Sequence, residues 1–402
     1  YMFKSLSLKV LLFGFIFTFF SSFGQSFFLG LFNSSIRDAL SITHGQFGSI
    51  YASATLLSSL ILVWIGKKID DINILKFASY VIIFLSASCF IFSKISSVIF
   101  LFIGIFLMRL AGQGLSSHTA TTTISRFFEK NRGRALSTCW LGLSLAEFTL
   151  PVLIVFLLTF IEWRDIWLSI SILVIIVLPI VSYFLVKDVK LETREKSNSI
   201  EDPKEIRQWK RIEVLKDYRF YIISMSMLAM PWIATGSFVY QSFITTSKEW
   251  GPYIIAQSFM AYSIFSVITL FISGFIIDKF SSRRLLIYMN IPLLFSTIVL
   301  FSFNAQISSF FFFGLLGITN GLANVLGSST WAEIYGVKYI GSIKALTTAL
   351  MVFATAFGTA LFGILIDFGF TIEQIAVVSG LYILTSLILL YLVKNKLNPE
   401  YL

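Results

Sequence analysis

Charged residues are scarce in this chain. Only 13% of its 402 residues are Asp, Glu, Lys or Arg, whereas 56% are hydrophobic. Soluble globular domains carry about 25% charged residues. The composition therefore excludes an ordinary soluble domain and indicates an integral membrane protein. Its functional residues must be sought among the few polar groups within the apolar segments.

Residues that build metal centres, disulfides and catalytic dyads are also few. The chain has two histidines and two cysteines, and Cys89 and Cys139 both fall within apolar runs. Their spacing fits neither a metal site nor a disulfide framework. We find no glycine-rich phosphate loop and no nucleophile–base pair. We therefore expect no metal, no cofactor and no catalytic residue, and the sequence argues against both ATP-driven transport and a membrane enzyme.

Long apolar runs, by contrast, follow one another almost end to end. About 20 apolar residues in a helix cross the ~30 Å hydrocarbon core of a bilayer. The runs are continuous and lack the alternation of a membrane β-barrel, so they predict helices. The predicted fold is an all-α integral membrane protein with twelve transmembrane helices. These spans 1 to 12 are 10–32, 46–66, 72–93, 97–125, 134–160, 164–186, 218–246, 253–277, 284–303, 307–330, 343–366 and 373–393.

The formal net charge of +10 raises the question of a nucleic-acid partner, and the distribution of the basic residues answers it. With an even number of spans, both termini lie on the same side, which we take as the inside. Basic residues then concentrate in the inner segments, as the positive-inside rule requires. We expect no nucleic-acid partner. We expect a multi-pass protein of the plasma membrane, the inner membrane of a bacterium, with both termini cytoplasmic. The outer segments carry only Arg37, Lys94, Arg164 and Lys248.

The longest polar stretch divides the spans into two groups of six. It covers residues 187–217, so the predicted domains are an N-terminal six-helix bundle at 1–186 and a C-terminal one at 218–402. Within the linker, an apolar residue recurs at every third position from Ile206 to Leu215. This pattern favours a short helix along the inner membrane surface, starting at Asp202. A solvated charged linker is the alternative.

Two short motifs occur once in each half. Gly66 to Asp70, after span 2, has the same Gly-x-x-x-Asp form as Gly274 to Asp278, after span 8. Arg134-Ala-Leu-Ser-Thr at the start of span 5 corresponds to Lys344-Ala-Leu-Thr-Thr at the start of span 11. The two pairs have nearly equal offsets along the chain. Together they predict a duplicated six-helix unit, giving two pseudo-repeats.

The motif from Gly274 to Arg284 resembles the signature loop of the major facilitator superfamily of transporters. Asn131-Arg-Gly-Arg-Ala135 resembles the oxalate/formate and monocarboxylate branch of that superfamily. The first-half loop departs from the signature, since Asp71 stands where a basic residue is usual. The resemblance implies two bundles that alternately expose a central cavity, with substrate bound near the midplane.

The resemblance also implies a cytoplasmic gate at the inner ends of the spans. Opposite charges there could hold the two halves together in one state of the cycle. The alternative is that the basic residues only set the topology, although this does not explain the repeated aspartates. The candidate gate residues are Gly66, Asp70, Arg134, Gly274, Asp278, Arg283, Arg284 and Lys344.

Arg109 is the one basic residue near the middle of a span. A charge at that depth costs about 2.5–3.5 kcal/mol on insertion scales, so it requires a partner and is a functional candidate. Glu147 in span 5 is the expected partner, either in a static ion pair or as a proton carrier beside an anionic substrate. Gln113 shares the helix face of Arg109. His118 is expected to pack with a hydrogen bond rather than to relay protons.

Other polar residues within spans are candidate substrate contacts. In the superfamily, spans 1, 4, 7 and 10 line the cavity, which adds a set of residues to Arg109 and Gln113. Ordinary hydrogen bonding between helices is the alternative for each. The additional candidates are Gln25, Asn33, Tyr240, Gln241, Asn320 and Asn324.

These observations predict a secondary active transporter that moves a small organic anion, a monocarboxylate or short dicarboxylate, by alternating access and by symport with protons. A guanidinium suits a carboxylate because it can make two parallel hydrogen bonds. The expected partners are the substrate, protons and the lipid bilayer, and the functional unit is expected to be a monomer. The alternatives are a transporter of a zwitterion or amphipathic compound, and a sensor with this fold that binds ligand without moving it.

Overall fold

The computed structural model is helical throughout the residues it describes. These are residues 2–70, 72–128, 132–189, 207–336 and 339–400, apart from the side chains of residues 2–5, Lys67, Asp70, Arg132, Asp278 and Ser328. This part of the chain contains no strand and has twelve helical segments long and apolar enough to cross a membrane, as predicted. In order, these spans are Leu6–Gly30, His44–Gly66, Ile74–Ser93, Val98–Phe127, Arg134–Leu157, Trp163–Val186, Tyr218–Val239, Ile254–Ile277, Ser282–Ser302, Ile307–Tyr335, Ser342–Asp367 and Ile372–Lys396.

Span 1 is interrupted, whereas the sequence pattern predicts one continuous helix. The α-helix Met2–Ser21 is followed by a 3₁₀ turn, Ser22–Gly24, and by a short helix, Ser26–Gly30. The Ser21 hydroxyl donates to the carbonyl oxygen of Thr18 at 2.6 Å, in the manner of serines that weaken or bend a helix. Asn33 was predicted within span 1, and this placement is wrong, because Asn33 begins a separate helix, Asn33–Leu40.

Span 4 also departs from a regular α-helix. Val98–Met108 and Ser117–Phe127 are α-helical, and the segment between them, Arg109–Ser116, is π-helical. The Ser116 hydroxyl donates to Ala111, five residues back, at 2.8 Å. A π segment holds more residues per turn than an α-helix and is frequent at functional sites. The hydrophobicity of span 4 predicts its length but carries no signal of this change.

The remaining spans are mostly single helices. The one between Ser282 and Ser302 consists of Ser282–Leu285, a 3₁₀ turn at Leu286–Tyr288 and Ile291–Ser302. Besides the helix Asn33–Leu40, the described residues form three short elements outside the spans, namely a 3₁₀ turn at Lys67–Asp70 and the helices Arg211–Lys216 and Gln241–Ser247. The long helices of the other spans are His44–Gly66, Ile74–Ser93, Arg132–Leu157, Trp163–Val186, Tyr218–Val239, Ile254–Phe280, Ile307–Tyr335, Ile340–Asp367 and Ile372–Val393 with a last turn at Lys394–Lys396.

The chain divides into two units, and helices pair in the same way within each. The N-terminal unit comprises Tyr1–Lys196 with Phe238–Ser242, and the C-terminal unit comprises Ser197–Ser237 with Phe243–Leu402. In the first, span 1 packs on span 5, span 2 on span 4 and span 3 on span 6. In the second, span 7 packs on span 11, span 8 on span 10 and span 9 on span 12. The repeated pairing agrees with the duplication predicted from the two motifs.

The described end of the linker, residues 207–217, packs on the C-terminal unit. The backbone N–H of Trp209 donates to the carbonyl oxygen of Tyr335 at 3.0 Å. Val214, in the helix Arg211–Lys216, is buried with Trp209, Trp331 and Tyr335 in one apolar cluster. Of the apolar face predicted for a membrane surface, Trp209 is buried and Leu215 packs against this cluster, whereas Ile212 is 69% exposed. Ile206 lies outside the described residues. The predicted helix start at Asp202 lies outside the described residues.

Candidate functional site

Arg109 is buried in the N-terminal unit, at the first position of the π-helical segment. Only 2% of the residue is exposed. Its Nη1 donates to the carbonyl oxygen of Gly24 at 2.9 Å, and its guanidinium lies 5.5 Å from the centre of the Tyr51 ring. Its Nε has no hydrogen-bond partner among the described residues. The charge is thus contacted by a carbonyl dipole and an aromatic face rather than by an acid.

Two glycines bring span 1 and span 4 into contact at this point. A Cβ atom on Gly24 would collide with the carbonyl oxygen of Met108 and lie 2.5 Å from the backbone nitrogen of Gln113. A Cβ atom on Gly112 would lie 2.6 Å from the backbone nitrogen of Gly24. Only glycine fits this backbone crossing. The break in span 1 and the π segment of span 4 therefore meet, and their meeting sets the Gly24 carbonyl beside Arg109.

Sequence reasoning missed Tyr51, whose ring lies beside the Arg109 guanidinium, and Thr55, one helical turn further along span 2. Both side chains are buried in span 2, four residues apart and therefore on one helix face. The Thr55 hydroxyl has no hydrogen-bond partner among the described residues. The available signal was a tyrosine and a threonine at helical spacing inside an apolar run. That signal is weak, because a threonine hydroxyl within a helix often hydrogen-bonds to a backbone carbonyl of the same helix.

The predicted ion pair between Arg109 and Glu147 is wrong for this structure. Both residues are described, yet no ion pair joins them, and Glu147 is half-buried in span 5. The physical reason is that span 1 contacts the π segment, while span 5 packs on the C-terminal part of span 4, Ser117–Phe127. The Arg109 guanidinium therefore donates to the Gly24 carbonyl oxygen. Gln113 and Gln25 are half-buried near this crossing.

Three further candidates hydrogen-bond to backbone in the N-terminal unit. Asn33 Nδ2 donates to the carbonyl oxygen of Val239 at 2.7 Å, and the Tyr240 hydroxyl donates to that of His44 at 2.9 Å. Gln241 Nε2 donates to the carbonyl oxygen of Phe27 at 3.0 Å. These bonds fix the segment Phe238–Ser242 within the unit. They favour the packing interpretation for all three side chains.

The two asparagines of span 10 have different surroundings. Asn320 Nδ2 donates to the Ser266 hydroxyl at 2.7 Å, which ties span 10 to span 8. Asn324, one turn further along, is exposed. The structure thus separates two residues that the helical spacing treats alike. Only the exposed one keeps its side-chain amide on an open surface of the C-terminal unit.

The family model of the Major Facilitator Superfamily matches residues 14–359. The chain belongs to this superfamily. No curated protein sequence matches it. The narrower resemblance to the oxalate/formate and monocarboxylate branch is not confirmed by this match and stays a prediction.

Solved transporter structures share the fold at low sequence identity. A bacterial homologue of the human lysosomal transporter Spinster, in an inward-facing and unoccupied conformation, has a TM-score of 0.71 at 11% identity, with 98% of each chain covered. The nucleoside transporter NupG has a TM-score of 0.70 at 14% identity, also with 98% of each chain covered. At such identities the likeness shows the fold alone.

The signature loop of the superfamily is held inside the C-terminal unit. Arg283 Nε lies 3.0 Å from Glu333 Oε1, and Arg283 Nη1 donates to Asn398 Oδ1 at 2.7 Å. The Ser282 N–H donates to the same Glu333 carboxylate at 2.8 Å. The Arg283 side chain is therefore engaged locally, with partners the sequence did not predict. The side chain of Asp278, a predicted gate residue, lies outside the described residues.

In the N-terminal unit, His118 of span 4 contacts the end of span 2. Its Nε2 lies 2.9 Å from the carbonyl oxygen of Gly66. This confirms the expectation that His118 packs with a hydrogen bond. The side chain of Asp70, the other predicted gate acid, lies outside the described residues. The basic gate candidates Arg134, Arg284 and Lys344 are exposed. Among the described residues, no cluster of His, Cys, Asp or Glu is suited to hold a metal ion.

Proposed function

We propose that this superfamily member is a secondary active transporter of a small organic anion, a monocarboxylate or short dicarboxylate, driven by protons through alternating access. The observation that carries the proposal is the burial of Arg109 without a carboxylate partner among the described residues. A buried cation is tolerated only when other groups compensate its lost hydration. A substrate carboxylate would supply that compensation in each transport cycle.

The contacts of Arg109 favour an anion over a neutral ligand. A carbonyl oxygen and an aromatic face stabilise the guanidinium without neutralising it, so its positive charge remains to attract a ligand. Nε, which has no partner in the described part of the chain, is one further N–H donor that a carboxylate could accept from. Two parallel hydrogen bonds from a guanidinium give both affinity and orientation.

Glu147 is proposed to carry the coupling proton. It is half-buried in span 5 and forms no ion pair with a described residue. A carboxyl group within a membrane span that no cation neutralises is a site where a proton can bind and later leave. The proton taken up by Glu147 would offset the charge of a monocarboxylate bound at Arg109, so loading would leave the net charge at membrane depth unchanged.

The remaining assignments follow the superfamily. We propose a functional monomer in the plasma membrane of a bacterium, with both termini cytoplasmic and with the predicted gate residues at the inner ends of the spans. Arg134, Arg284 and Lys344 are exposed, and Arg283 is paired with Glu333. The half-buried Gln25 and Gln113 are the polar residues of the N-terminal unit proposed to contact substrate beside Arg109.

Uptake by the purified protein in proteoliposomes tests the proposal. The panel contains labelled monocarboxylates, dicarboxylates, a zwitterionic amino acid and a nucleoside, the last because a nucleoside transporter shares the fold. We expect at least one carboxylate to accumulate under an inward proton gradient and to stop accumulating when the gradient is collapsed. Accumulation of the nucleoside or amino acid without any carboxylate would contradict the anion assignment. Ligand binding without flux would indicate a sensor.

A further inference from the structure

A cavity of about 520 Å³ lies in the C-terminal unit, between the end of the linker and the C-terminal tail, residues 394–400. Cavities of about 300–1,000 Å³ accommodate small organic ligands. This cavity is not part of the site around Arg109, which belongs to the N-terminal unit. Its basic lining residues are Arg207, Lys216, Arg219 and Lys396.

The carboxylate of Glu400 bridges the two arginines of the cavity. Glu400 Oε2 lies 2.8 Å from Arg207 Nη1, and Glu400 Oε1 lies 3.4 Å from Arg219 Nη2. The Glu400 side chain is nevertheless 44% exposed and comes from the last described residues of the chain. The backbone of this segment is held, because the backbone N–H of Arg207 donates to the carbonyl oxygen of Glu400 at 2.8 Å and Leu397 is buried, so only the side chain of Glu400 would need to move. The tail thus places an exchangeable anion between two guanidinium groups.

Both guanidinium groups are held in place by other contacts. Arg219 Nε lies 2.8 Å from Asp217 Oδ2, and both side chains are buried. The Arg207 guanidinium lies 4.2 Å from the centre of the Trp209 ring, and its Nη2 lies 3.1 Å from Glu213 Oε1. Because these contacts do not involve Glu400, the two arginines would keep their positions if the tail carboxylate left. A preorganised pair of arginines is a favourable anion site.

The charge of the cavity favours a doubly charged anion. Lys216 and Lys396 are exposed on its wall and form no ion pair with a described residue. The four basic residues face three acidic ones, Glu213, Asp217 and Glu400. Departure of the Glu400 carboxylate would leave an excess of two positive charges. A phosphate monoester carries a charge of about −1.5 to −2 at pH 7 and has three acceptor oxygens.

We propose that this cavity binds the phosphate group of a small molecule or of a lipid headgroup, and that Glu400 occupies the phosphate position when no such ligand is bound. Phosphate displaces the carboxylate from Arg207 Nη1 and Arg219 Nη2. Lys216 and Lys396 then face the added charge. Binding turns the Glu400 side chain away from the two arginines, while the hydrogen bond from the Arg207 backbone N–H keeps the backbone of the tail in place. The proposal does not depend on the transported substrate.

Thermal unfolding of the purified full-length protein, titrated with inorganic phosphate at constant ionic strength, tests the site. We expect saturable stabilisation of the wild type. Arg207→Gln should weaken phosphate binding about tenfold, because it removes a hydrogen bond between charged groups. Glu400→Gln should strengthen binding, because it removes the competing carboxylate. Lys396→Gln provides a second weakening variant that breaks no ion pair with a described residue, in case Arg207→Gln does not fold.

Arg211→Gln is the matched control. Arg211 is exposed on the same short helix as Lys216 and does not line the cavity. We expect its phosphate affinity to equal that of the wild type. An equal loss in Arg211→Gln and Arg207→Gln would show general charge screening and overturn the proposal. Binding by Glu400→Gln that is no tighter than that of the wild type would also overturn it, since the carboxylate would then not occupy the phosphate position.

Two membrane compositions distinguish the two sources of phosphate. The wild type and Arg207→Gln are compared in phosphatidylcholine nanodiscs, with and without added phosphatidic acid, and separately with glycerol phosphate in solution. Stabilisation by phosphatidic acid alone, lost in Arg207→Gln, supports a lipid headgroup. Stabilisation by glycerol phosphate in phosphatidylcholine, lost in the same variant, supports a soluble ligand. Stabilisation by neither additive contradicts the site.

Discussion

Arg109 Nη1 donates a hydrogen bond of 2.9 Å to the carbonyl oxygen of Gly24, 85 residues earlier in the chain. The bond joins a π-helical turn of span 4 to the 3₁₀ turn that interrupts span 1. A neutral carbonyl stabilises a guanidinium less than a carboxylate does. The bond therefore orients Arg109 while leaving its charge available to an anion, which is the basis of the proposed function.

Gly24→Ala should disturb this arrangement. The added Cβ would collide with the carbonyl oxygen of Met108, so spans 1 and 4 must separate. We expect a loss of about 1–3 kcal/mol in unfolding free energy, as for other overpacked interiors, together with weaker substrate binding. Thermal unfolding and substrate affinity measure the two effects. The control is Gly327→Ala, where a Cβ would meet no atom within 4 Å, and an equal loss there would contradict the argument.

Substitutions at Tyr51 separate the role of its ring from that of its hydroxyl. The ring centre lies 5.5 Å from the Arg109 guanidinium, a distance at which a desolvated cation and an aromatic face attract by about 2 kcal/mol. Tyr51→Phe keeps the ring and should retain substrate affinity. Tyr51→Leu removes it and should lower the affinity several-fold. The account of Arg109 fails if both variants bind substrate equally well, as measured by equilibrium binding to the purified protein.

Glu147→Gln tests proton coupling separately from binding. The amide cannot cycle a proton, but Arg109 and its contacts are unchanged. We expect gradient-driven accumulation to disappear while exchange of labelled for unlabelled substrate, which needs no net proton movement, continues. Glu162→Gln, at the residue that precedes the helix Trp163–Val186, is the control and should accumulate substrate as the wild type does. Undiminished accumulation in Glu147→Gln would show that another group carries the proton.

Glu213, at the end of the linker, should make the free energy of unfolding depend on pH in the acid range. The N–H of Lys210 and the side chain of Arg207 lower the pKa of Glu213 below its ordinary value of 4.5. The folded protein then binds fewer protons at this group than the unfolded chain does. The stabilisation is complete above pH 4.5 and is lost as the pH falls below the folded pKa.

Melting temperatures measured from about pH 6 down to about pH 3 check this expectation. Glu213→Gln removes the titrating group, so its melting temperature should fall less with acidification than that of the wild type. Arg207→Gln removes one of the two groups that lower the pKa of Glu213, so the stability of this variant should begin to fall closer to pH 4.5. A wild-type profile in Glu213→Gln would contradict the assignment.

The sequence predicts the architecture because hydrophobic length is a strong signal in a membrane protein. Twelve helices, the six-plus-six division and the superfamily all follow from apolar runs and two repeated motifs. The burial and functional candidacy of Arg109 follow from a single charge within such a run. The π segment and the break in span 1 carry no comparable signal, because both depend on the close approach of Gly24 and Gly112 in the folded chain.

Partners of polar side chains were the least predictable feature. Arg109 and Glu147 lie on neighbouring helices, and depth along those helices suggested a pair. Span 1 instead contacts the π segment, and the carbonyl oxygen of Gly24 accepts a hydrogen bond from the Arg109 guanidinium. For Asn320, helical spacing cannot show that Ser266 lies opposite. Such contacts depend on rotation and register between helices, which the hydrophobic pattern does not determine.

Uptake by Arg109→Gln is the most direct test of the central claim that Arg109 receives an anionic substrate. The control is Arg164→Gln. Arg164 likewise donates to a backbone carbonyl, that of Ile95 at 2.9 Å, and lies 4.3 Å from the centre of the Trp163 ring, but at the end of a span. We expect Arg109→Gln to lower the affinity for the transported carboxylate at least about tenfold, and Arg164→Gln to leave it unchanged. Carboxylate uptake by Arg109→Gln at the wild-type rate and affinity would contradict the account.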